Sequence, residues 1–142
     1  MQKTYQTLMI IFSAFLFSSL IYLLVGFALT QSGWKAILQG ALQEVLTAIF
    51  IGLSVVLVLI AHHVRKSIYT EGVARPRAPE QLQKEIIFRS IIVFALSEVP
   101  AILGLTLFLL TGRFLFLAIL CGISIFAFLL AKPSLHKLQE LE

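Results

Sequence analysis

Residues Ile86 to Leu110 read IIFRSIIVFALSEVPAILGLTLFLL, a stretch long and apolar enough to cross a bilayer as a helix. It carries Glu98 near its middle and Pro100 two residues later. On the translocon scale the comparable Asp, Lys and Arg cost about 2.5–3.5 kcal/mol at a helix centre. The folded protein has to compensate for that acid, so this stretch constrains everything around it.

Three further apolar runs accompany it. Leu8 to Leu29 has 22 residues, longer than the h-region of a secretory signal, which is about 7–15 residues. Gly40 to His62 and Phe114 to Ala131 are the others. The expected fold is therefore an all-α integral membrane protein, one domain over 1–142, with helices at about 8–29, 40–62, 86–110 and 114–131. A polar loop over 64–83 joins the second helix to the third. Gly72, Pro76 and Pro79 interrupt regular structure there, and Pro79 followed by Glu80 suits a helix start. Gly112 and Arg113 make a tight turn, and Pro133 stops the last helix.

Four crossings put both termini and the 64–83 loop on one side. That side holds nine basic residues: Lys3, Arg65, Lys66, Arg75, Arg77, Lys84, Arg89, Lys132 and Lys137. The opposite side holds Lys35 and Arg113. This asymmetry predicts cytoplasmic termini in a bacterial-type inner membrane. It also accounts for the net charge of +4 without nucleic acid, since the cations flank membrane segments. The expected partners are the lipid bilayer and other membrane subunits or copies of the chain.

Chemistry-bearing residues are few. Cys121, alone in the chain, reads as a small buried hydrophobe. His62 and His63 are adjacent and point in different directions on a helix, so they make no i, i+4 metal pair. Ser13, Ser18 and Ser19 lack a neighbouring base and either bond back to their helix or face another. With no nucleophile–base pair, phosphate loop or ligand cluster, no catalytic residue, metal or cofactor is expected. Glu44 lies in the first turns of the second helix, where a carboxylate is electrostatically favoured.

Glu98 is different. Twelve residues past Ile86, it lies roughly 18 Å into the helix at 1.5 Å per residue, near mid-membrane. A carboxyl at that depth is a candidate to hydrogen-bond a neighbouring helix or to exchange an ion along a polar path. Pro100 lacks an N–H, which frees the carbonyl of Leu96 and favours a kink. Ser90, Ser97, Gly104 and Thr111 recur every seven residues, with Ala101 among them, and make a narrow face for close packing. Ala48 with Gly52, and Ala118 with Gly122, are further small pairs.

The loop Arg77-Ala78-Pro79-Glu80 and the helix Ala95-Leu96-Ser97-Glu98 with Ile102, Gly104 and Leu105 resemble the rotor-ring proteolipid, subunit c of rotary ATP synthases. The resemblance is confined to Arg77 to Leu105. It implies Glu98 as a proton or sodium site and the Arg77 loop as a surface for a central stalk, with Arg75 and Arg77 as candidate contacts. The second helix departs from that family, having only Gly52 where a run of glycines is expected, and two extra spans surround the match. The expected function is an accessory or scaffold subunit of a larger membrane complex. Proteolipid-like proton or sodium translocation through Glu98 is the alternative.

Overall fold

The structure, a computed structural model, describes residues 2–38, 40–74 and 79–134. All the regular structure among them is helical: α1 (Gln2–Gln31), α2 (Ala41–Ala74), α3 (Pro79–Thr111) and α4 (Phe114–Ala131). Each contains a segment long and apolar enough to cross a membrane.

The first three helices are longer than their apolar runs, while α4 matches its run. α1 starts at Gln2, and most of the loop expected over 64–83 is helix, because α2 continues to Ala74 and α3 begins at Pro79. The polar stretch that continues α2 contains Arg65 and Lys66, which are good helix formers. Charge ends the hydrocarbon-compatible run without ending the backbone hydrogen-bond ladder. α2, with 34 residues, is about 51 Å long and so exceeds a hydrocarbon core of about 30 Å. Pro79 occupies the first position of α3 with Glu80 in its first turn, where a missing N–H is harmless and an acid is favoured.

α3 and α4 form the central pair. α1 packs along one side of both and α2 along the other, while α1 and α2 meet only marginally. The core is stratified along the bundle. One half is aromatic: Phe12 meets Phe94 edge-on at 5.8 Å and Phe128 at 6.1 Å between ring centroids. The other half is built on close backbone approach, with Gly104 of α3 lying against Leu117 and Leu120 of α4. Between the two halves lies a layer of serines and Glu98.

At the far end, Gly112 has φ +66°, a conformation that suits glycine, and its N–H donates to the Phe108 carbonyl at 2.7 Å. This ends α3 and lets α4 start at once. Residues 32–38 fold across that end: the N–H groups of Ile37 and Leu38 both donate to the Leu110 carbonyl, at 2.9 and 2.8 Å. Trp34 donates its indole N–H to the Leu109 carbonyl at 3.2 Å. The loop thus satisfies carbonyls that the helix terminus leaves open.

The polarity of the bundle is inverted relative to a water-soluble one. Ser19, Ser54 and Ser124 are 0% exposed, whereas Phe17, Leu24 and Ile37 are 67–68% exposed. Such a surface is suited to hydrocarbon, where internal hydrogen bonds are obligatory and apolar side chains face out.

Candidate functional site

Glu98 sits on the face of α3 that meets α1. Two α1 hydroxyls donate to the same carboxyl oxygen, Oε1: those of Ser18 and, at 3.1 Å, Tyr22. Ser18 and Tyr22 are four residues apart, one turn, which places both on one stripe of α1. The acid is thereby held between two helices by donors from a single stripe of α1.

Ser19, the next residue, turns to the other neighbour. Its hydroxyl lies 3.2 Å from that of Ser124 in α4. Ser124 in turn donates to the Ser97 carbonyl of α3 at 2.6 Å. In an unbroken helix that carbonyl would accept from residue 101, one position past Pro100. Proline frees the carbonyl four residues back, at Leu96; the α4 hydroxyl goes to the adjacent one. Ser97 sends its own hydroxyl to the Val93 carbonyl at 2.8 Å. The six groups form one clasp over three helices: Ser18, Ser19 and Tyr22 from α1, Ser97 and Glu98 from α3, Ser124 from α4.

The clasp is asymmetric. Ser19, Ser97 and Ser124 are buried, while Glu98 is half-buried at the edge of the seam. One turn away on either side, Ala95 and Ile102 are exposed. The second carboxyl oxygen, Oε2, accepts from no described residue, yet no fully buried polar side-chain atom among the described residues lacks a partner. Oε2 is therefore not sealed inside the bundle.

The other expected positions separate cleanly. Pro100 is buried inside α3, which continues through it. Gly104 provides the closest helix–helix approach on the small-residue face: a Cβ there would lie 2.9 Å from the Leu120 Cβ. Ala101 and Thr111 on the same face are also buried. By contrast, nothing lies within 4 Å of a Cβ built at Gly52 or Gly122, so those small pairs face outward. His62 and His63 are exposed, and among the described residues no three His, Cys, Asp or Glu side chains converge as metal ligands. Arg75 and Arg77 lie outside the described residues.

Tyr22 and Ser124 are the clasp members that the sequence reading passes over. The available signals were Tyr22 one turn after Ser18, and Ser124 as the single serine of an otherwise apolar α4. Compared with known protein families, characterised proteins and solved structures, the chain matches none.

Proposed function

We propose that this chain is a multi-pass membrane protein acting as an accessory or scaffold subunit of a larger membrane complex. Its basic end faces the cytoplasm of a bacterial-type inner membrane. The observation that carries this reading is the clasp: Glu98 already has two donors within its own chain, which suits an acid that fixes α1 against α3, beside serines that tie both to α4. The outward small pair Ala48 and Gly52, with open space at Gly52, supplies room for a helix of another subunit. Extraction in a mild detergent tests the reading. Co-purification of the intact chain with different membrane polypeptides supports it. A lone monomer, or a closed ring of identical copies, overturns it.

One observation favours a second reading, in which Glu98 exchanges a proton or sodium ion as in the rotor-ring proteolipid that residues 77–105 resemble. Oε2 has no donor among the described residues and is not sealed in the bundle, and hydroxyls on Oε1 are ligands that a hard cation accepts. In that case a hydrophobic carbodiimide labels Glu98 in native membranes, and protons or sodium change the labelling rate. An unlabelled Glu98 in membranes where the reagent is demonstrably active sinks the exchange reading.

A further inference from the structure

Beside the clasp, on the face of α3 turned from α1, an apolar groove runs between α2 and α4. It is lined by Val58, Ala61, Ala127 and Leu130, with Val93 and Ser97 of α3 between them, and it reaches His62 and Arg65. It encloses only about 10 Å³, too little to bury a ligand, so an occupant would have to rest on its open side. A second cleft shares Arg65 and contains Ser90 and Pro133, at the level where the apolar part of each helix gives way to polar residues. Arg65 thus stands where an apolar groove meets a polar mouth.

Among the described residues the cations at the mouth have no acidic partner. Arg65 donates one Nη2 bond to the Lys132 carbonyl at 3.0 Å, which draws the end of α4 toward α2 and brings the Lys132 backbone beside the guanidinium. Among the described residues no carboxylate pairs with Arg65 or Lys132, whereas Arg89 is engaged by Glu85 at 2.7 Å. The remaining guanidinium N–H groups form the planar fork that matches a phosphate. Cations at a membrane boundary above an apolar groove are complementary to one ligand class, an anion carrying a hydrocarbon chain.

We propose that this groove binds one anionic phospholipid, with its phosphate on Arg65 and Lys132, His62 beside it, and an acyl chain along Val58, Ala61, Ala127 and Leu130. The bound lipid fills the seam between α2 and α4, the most sparsely packed of the adjoining helix pairs. This site is independent of whether Glu98 is a clasp or an exchange site, and requires only that the bundle is embedded in a bilayer.

The test uses the full chain in neutral detergent micelles, doped with phosphatidylglycerol or with phosphatidylcholine at equal mole fraction. Phosphatidylglycerol is expected to raise the melting temperature and to remain bound in native mass spectrometry; phosphatidylcholine does neither. Each of Arg65→Gln and Lys132→Gln weakens phosphatidylglycerol binding roughly fivefold, the worth of one basic residue at an anionic surface. Val58→Trp fills the groove, leaves both cations, and abolishes retention; it keeps the proposal testable if the charge variants fold poorly. Equal effects of the two lipids, or undiminished binding in all three variants, overturn the site. A stabilisation reproduced by glycerol phosphate alone shows an anion site without a lipid and overturns it too.

Discussion

Glu98→Leu is expected to destabilise the bundle by about 1–2 kcal/mol, and Glu98→Gln by less than about 1 kcal/mol. Leucine removes the acceptor shared by Ser18 and Tyr22. Ser18 can turn back to a carbonyl of its own helix, as Ser13 already does toward Met9 at 2.8 Å. Tyr22 cannot, because its hydroxyl lies a ring's length from the backbone, so a phenolic O–H is stranded between helices. Glutamine keeps a carbonyl oxygen where Oε1 stands and satisfies both donors. A cycle with Tyr22→Phe isolates the term: a coupling of roughly 0.5–1.5 kcal/mol is expected with Leu and little with Gln. Equilibrium unfolding in detergent measures all of these. Equal losses for Leu and Gln would refute the shared acceptor oxygen as what the clasp depends on.

The second large effect is at Gly104. Alanine there costs about 1–3 kcal/mol, and valine more. The new Cβ would meet the Leu120 Cβ at 2.9 Å and the Leu117 Cα and carbonyl oxygen at 3.4 Å. Those atoms belong to the backbone and root of α4, so the strain is relieved only by separating the two central helices. Gly26 makes the informative comparison. Its Cβ would come closer still to an atom, but that atom is the Leu117 Cδ2 at the tip of a side chain, which a rotamer change removes. Off-rotamer placement costs about 0.5–1.5 kcal/mol, so Gly26→Ala is milder than Gly104→Ala. Gly52→Ala meets nothing and gains helix propensity, leaving the melting temperature unchanged or slightly raised. An order of damage other than 104, 26, 52 in thermal unfolding contradicts this packing.

What could be read from the sequence divides along a physical line. The existence of four helices was legible because each apolar run has the length a bilayer demands, and the turn at Gly112 because glycine and a cation follow an apolar stretch. The start of α1 and the end of α2 were not, whereas Pro79 and Glu80 marked the start of α3. Hydropathy reports where hydrocarbon ends, whereas Arg65 and Lys66 continue the helix beyond it. Glu98 announced itself by its depth. Its partners did not, because which hydroxyl of α1 reaches it depends on how α1 is rotated against α3, and no local signal sets that. The repeat of Ser97, Gly104 and Thr111 correctly marked a tight face; it could not say that α4 is what packs there, nor that the Ser124 hydroxyl reaches the Ser97 carbonyl. The two outward small pairs looked the same in sequence as the buried ones.

The near absence of contact between α1 and α2 bears on how the protein is made. A ribosome delivers α1 and α2 first, and in a bilayer they have almost nothing to hold each other. The acid and the α4 serine that α1 fastens to, and the two helices that α2 leans on, arrive only with the second half of the chain. Even the loop between the first two helices rests on the Leu110 carbonyl, which has yet to be synthesised. The contacts that hold α1 and α2 in place thus become available only once the last hairpin has been made.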